Sequence, residues 1–124
     1  MRFLIYCIAV VAVLLLFSSC KHTVNFDEYP AISFATSVSP VIISNCTQSG
    51  CHGNKQSESF KLLAYDDIIR HGRITPGSPN KSNLYSVIKT LNKNERMPIP
   101  PLNPLTNEQI KTIYLWIGQG AKNN

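Results

Sequence analysis

The sequence predicts an all-α domain of four or five short helices at residues 33–121, set behind an export leader and a tether. Three observations carry this reading. Two stretches repeat apolar residues at i, i+3, i+4 and i+7, namely Leu84, Val87, Ile88, Leu91 and Ile110, Ile113, Tyr114, Ile117, the spacing of one helix face. Helix-start signals stand at Ser39-Pro40 and at Thr106 with Gln109, a first-turn proline and a capping box. No clear run alternates apolar and polar residues over the length of a strand.

The leader comes first. Arg2 is followed by an unbroken apolar run at 3–17 and then by Ser18, Ser19 and Cys20. Fifteen apolar residues are short for a spanning helix, which needs about 20, and fit the core of an export signal. Small residues before a cysteine resemble the lipobox of bacterial lipoproteins, although Phe17 is bulky for its position. Residues 1–20 are therefore expected to be a signal peptide with Cys20 lipidated; a plain secretory signal and an uncleaved anchor are the alternatives. Residues 21–32 show no periodicity and read as a tether that spaces the domain from the membrane.

Within the domain, Pro40 after Ser39 is expected to start a short helix carrying Val41, Ile42 and Cys46 inward. Tyr65, Ile68 and Ile69 have helical spacing over 65–71, ending by Gly72. The third helix is expected from about Pro79 or Ser82 through Leu91. The last follows the Thr106–Gln109 box and stops at Gly118 and Gly120.

Composition narrows the function. With 124 residues there is room for one domain, and neither a Walker A loop nor a Rossmann glycine pattern occurs. Twelve Lys and Arg against seven Asp and Glu give +5; loss of Arg2 with the leader leaves eleven against seven. The bases are scattered without interleaved aromatics, so nucleic acid is not an expected partner.

Of four cysteines, Cys7 lies in the leader and Cys20 at its end, leaving Cys46 and Cys51 in the folded region. A disulfide closing a tight loop is the plain reading in an oxidising compartment. His52 directly after Cys51 adds a second one: two thiols and a following histidine are the groups that attach c-type haem through two thioethers and one proximal ligand. The spacer is four residues where two are usual. The same groups also suit zinc, but a fourth ligand would have to come from His22 or His71, and no third cysteine remains. Apart from the initiator the chain has one methionine, Met97, within Arg96-Met97-Pro98-Ile99-Pro100-Pro101. Proline-rich backbone is expected to hold that segment extended and to present the soft thioether rigidly to iron.

The order of these elements resembles the cytochrome c superfamily, in particular small exported bacterial mono-haem domains with a four-residue spacer in the haem motif. The resemblance rests on Phe34 and Val38-Ser39-Pro40-Val41-Ile42, then Cys46, Cys51 and His52, and Tyr65. It continues through Thr75-Pro76-Gly77-Ser78-Pro79 with Ser82-Asn83-Leu84-Tyr85, Arg96-Met97-Pro98, and Leu105 to Ile110 with Trp116-Ile117. It implies a cytochrome c-like fold around one covalent haem c, with His52 proximal and Met97 distal. His71 and an open iron position are the alternatives to Met97.

By the same resemblance Pro76 is the candidate carbonyl acceptor for His52. Arg73 is a candidate partner for a haem propionate or else a solvated side chain. Ile42, Leu84, Val87, Ile88, Ile113, Tyr114, Ile117 and Trp116 are candidate haem or core contacts. The function implied is electron transfer rather than catalysis, with redox proteins as partners and no small-molecule substrate, at the periplasmic or outer face of a membrane. Lys81, Lys89, Lys93 and Arg96 are candidates for steering an acidic partner, or a solvated rim. Two other functions stay open: a haem-free structural lipoprotein with a Cys46–Cys51 disulfide, and a haem-based gas sensor.

Overall fold

The computed structural model describes residues 24–54 and 60–124. The expected leader with Cys20, and the start of the expected tether with His22, lie outside the described residues. Every regular element among the described residues is helical, and none of these helices is long and apolar enough to cross a membrane. The helices are α1 (Ser39–Cys46), α2 (Tyr65–His71), α3 (Asn83–Lys89) and α4 (Asn107–Gly118), with 3-10 turns at Phe26–Glu28 and Pro79–Lys81.

The first helical run begins earlier than Ser39. A π-helical stretch, Phe34–Val38, leads straight into α1. Its start is Ser33, whose hydroxyl accepts from the Thr36 amide at 3.3 Å. The wide turns, with the Val38 and Ser39 amides reaching Ser33 and Phe34 carbonyls, shift the hydrogen-bond register just before Pro40, which has no N–H to contribute. Phe34, Val38, Ile42 and Cys46 then recur every fourth residue and are all buried.

α4 is the central element, packing against α3, the Phe34–Val38 stretch and the Pro79–Lys81 turn. Thr106 and Gln109 form the expected capping box, with mutual bonds of 3.2 and 2.9 Å. Ile113, Trp116 and Ile117 are at most 1% exposed, each contributing roughly 1.5–3 kcal/mol of burial or more. Trp116 packs beside Phe34 and Tyr65, and its indole N–H donates to the Lys122 carbonyl at 2.9 Å. Tyr114 is only partly buried, its ring in tilted contact with those of Phe26 and Tyr85.

α2 and α3 meet at Gly72. A Cβ there would lie 2.4 Å from the Ile68 carbonyl oxygen and 3.3 Å from Leu84 Cβ, and the Leu84 amide bonds the Gly72 carbonyl at 2.9 Å. α3 ends at Lys89, so the stripe expected to extend to Leu91 stops short: Leu91 is 94% exposed. Thr90 is extended, its hydroxyl accepts from the Asn92 amide, and the Asn92 carboxamide oxygen accepts from Asn94. Such local side-chain bonds compete with helix continuation.

Residues 26–32 of the expected tether are docked. The Gln119 side chain donates to the carbonyls of Phe26, Tyr29 and Pro30 and accepts from the Ile32 amide at 2.8 Å. The Phe26 ring lies so close to Gly118 that a Cβ there would sit 2.1 Å from it.

Candidate functional site

One cavity, about 190 Å³ in volume, gathers the chemistry-bearing residues of the domain. Its wall contains Cys46, Cys51, His52, His71 and Met97, set among apolar Phe60, Leu62, Leu84, Val87, Ile88, Pro98, Ile99 and Leu102. Four chain segments build it: the end of α1 with the following loop, the end of α2, one face of α3, and the loop after α3.

Cys46 closes α1 and is 8% exposed; Cys51 is partly buried. Both are free thiols. The four-residue spacer folds as a compact turn: the Cys51 amide bonds the Gln48 carbonyl at 2.9 Å, Gly50 has a φ of 85°, and the His52 amide returns to the Cys46 carbonyl at 3.0 Å. Thr47 and Gln48 bond back to the carbonyls of Ile43 and Ser44, tying the spacer to α1. Gly53 completes the fold-back, since a Cβ there would fall 2.4 Å from the Thr47 carbonyl oxygen. Burial, then the neighbouring Cys51, pushes the Cys46 thiol up to about 11. It is therefore a neutral S–H at physiological pH.

His52 is 8% exposed, and its Nδ1 lies 3.1 Å from the Phe60 carbonyl oxygen. A carbonyl only accepts, so Nδ1 carries the proton and Nε2 keeps its lone pair. That is the tautomer a metal-binding imidazole needs, oriented by a bond from its other nitrogen. The His52 ring also stacks on the Phe60 ring, with centroids 4.3 Å apart, and Phe60 in turn stacks on His71 at 4.8 Å.

Met97 is partly buried on the same cavity wall, and its amide bonds the Val87 carbonyl at 2.9 Å. The proline-rich segment after it turns instead of running extended: prolines 98, 100 and 101 supply no N–H, and the turn is closed from the Leu102 amide to the Ile99 carbonyl at 3.0 Å. His71 also reaches the cavity, but it presents a ring face through Phe60 toward His52.

Other expected contacts sort differently. Pro76 is exposed and off the cavity wall, and the carbonyl facing His52 Nδ1 belongs to Phe60 instead. Arg73 is exposed, has a φ of 45° just beyond α2, and is likewise off the wall. Leu84, Val87 and Ile88 line the cavity, whereas Ile42, Ile113, Tyr114, Trp116 and Ile117 do not. Of the four steering candidates, Lys81 and Lys93 are free in solvent and Lys89 is exposed but sits 4.5 Å over the Tyr85 ring. Arg96 is partly buried and folded onto its own loop.

The residues present fit a covalently held haem: two thiols, a histidine with the required tautomer and a soft thioether border one apolar space. Among the described residues no group of three or more His, Cys, Asp or Glu side chains is placed to hold a metal ion. No family model, curated protein or solved structure matches this chain.

Proposed function

We propose that this protein is a mono-haem c-type cytochrome, an electron carrier or electron-transfer module of the bacterial cell envelope, held at the membrane through lipidated Cys20. The observation that carries the proposal is the meeting of Cys46, Cys51, His52 and Met97 on one apolar cavity, with the proton of His52 committed to Phe60. When bound, the haem supplies a one-electron ferrous–ferric couple.

The chain's own residues then have definite tasks. Cys46 and Cys51 would hold the haem through two thioethers, each S–H adding across a vinyl group with no oxidant required. His52 offers Nε2 while the Phe60 carbonyl fixes its ring. Met97 would offer its thioether sulfur as the second protein ligand, one that raises the reduction potential relative to bis-histidine ligation. Leu62, Leu84, Val87 and Ile88 exclude water and lower the local dielectric. A haem held by both His52 and Met97 would supply electron transfer rather than a binding position for substrate.

The test is a redox titration of the haem-loaded protein with Met97→Ala beside it. The proposal expects a reversible one-electron couple whose potential falls, and whose spectrum changes, on the substitution. An unchanged spectrum and potential would remove Met97 as ligand and favour the gas-sensor alternative.

A further inference from the structure

We infer that Arg96 is the positioning residue that holds Met97 on the cavity wall, acting as a clasp across the loop that carries it. This inference rests on the haem reading above.

The loop has unusual need of a clasp. Residues 97–102 contain three prolines, which donate no backbone hydrogen bond. Its backbone amides make two bonds, Met97 to the Val87 carbonyl, which ties the stretch to α3, and Leu102 to the Ile99 carbonyl, which only closes a turn within it. Met97, Pro98, Ile99 and Leu102 all line the cavity, so movement anywhere along the loop moves the sulfur.

Arg96 spans the gap. Its Nη2 donates to the Leu102 carbonyl at 2.9 Å, joining the loop's two ends side chain to backbone. Its own amide is anchored to the Asn92 carbonyl at 2.9 Å. Its Nε is buried and has no hydrogen-bond partner among the described residues, so the guanidinium neck is packed inside the loop instead of lying in solvent. A charged donor on a carbonyl is the stronger class of hydrogen bond, and burial strengthens it further. A thioether is a neutral ligand that competing ligands displace, so its hold depends on how little the backbone can retreat. Lys93, on the same loop and exposed, carries the same charge without the clasp.

The experiment compares haem-loaded full chains carrying Arg96→Gln, Arg96→Lys and, as the charge control, Lys93→Gln. Imidazole is titrated against the ferric form, with the sulfur-to-iron charge-transfer band and the reduction potential recorded alongside. Arg96→Gln is expected to raise imidazole affinity about tenfold or more, the size of one lost charge-assisted hydrogen bond, with a weakened charge-transfer band and a lower potential. Arg96→Lys, which keeps a cationic donor, is expected to show a smaller rise of the same sign; it also stands in if Arg96→Gln does not fold. Lys93→Gln is expected to match the wild type. Haem-loaded Arg96 variants that titrate like Lys93→Gln would overturn the clasp while leaving the cytochrome reading intact. A wild-type chain that takes up no covalent haem would overturn that reading itself.

Discussion

His52 and Phe60 meet twice: the histidine Nδ1 lies 3.1 Å from the Phe60 carbonyl oxygen, and the two rings stack 4.3 Å apart. The carbonyl of Phe60 sets the tautomer and orientation of His52, and its ring packs flat against the imidazole. Phe60→Leu keeps the carbonyl and removes the stack. It is expected to retain haem attachment while costing about 1 kcal/mol of stability, the size of an aromatic pair, read by urea denaturation. Loss of haem attachment in this variant would show that the ring, not the carbonyl, orients His52.

Cys46 is the more buried of the two cavity thiols. Burial disfavours the Cys46 thiolate and places its titration near 11 against an ordinary value of 9.0, and alkylating reagents attack the thiolate. In haem-free protein at pH 8, Cys46 is expected to be alkylated on the order of 100-fold more slowly than an ordinary thiol, and to speed up as the pH rises towards 11. Peptide mass spectrometry of a timed iodoacetamide reaction reads this directly. Rapid labelling of Cys46 at pH 8 would contradict its burial.

Gly118 leaves room for the Phe26 ring. Gly118→Ala is expected to push the 24–32 segment off α4, costing about 1–3 kcal/mol by overpacking. Limited proteolysis should then cut that segment, while the wild type resists. Equal resistance would mean that Gln119 alone holds it.

Trp116→Phe removes the bond to the Lys122 carbonyl and shrinks a fully buried ring. A loss of about 1–3 kcal/mol is expected, measured by thermal unfolding. Since Trp116 is off the cavity wall, the visible spectrum of the haem-loaded protein should not change.

With Arg96 folded onto its loop, Lys81 and Lys93 are the exposed members of the proposed steering set that have no ring partner. Replacing both by Gln should flatten the salt dependence of electron transfer to an acidic redox protein. An unchanged salt slope would leave them as a solvated rim.

What was legible in the sequence is what neighbours in the chain decide. The Thr106–Gln109 box and the buried Ile113 and Ile117 of α4 follow from spacing within a few residues, as does the extent of α2, whereas Tyr114 of the expected stripe is only partly buried and Trp116, outside it, is buried. Two of the misread positions are set by distant partners. Ser33 starts the first helix, beside Phe34 and Ala35 amides that bond Asn124, and the docking of 26–32 depends on Gln119, nearly ninety residues away. α3 stops before Leu91 because Thr90 and Asn92 offer the backbone side-chain oxygens, a signal that the apolar stripe masks. In the site, Cys46, Cys51, His52 and Met97 were readable from residue type and order. Phe60 was not, because nothing local marks one carbonyl as the acceptor for a histidine eight residues earlier. Pro76 drew the assignment by resemblance alone.

The most direct test of the account is the mass and visible absorption of the protein made alongside a c-type haem maturation system, after denaturation and acid extraction. The account predicts a red polypeptide heavier by one haem, with the colour lost when Cys46 and Cys51 are both replaced by Ala. A colourless chain with no mass added beyond a lipid at Cys20 would contradict it.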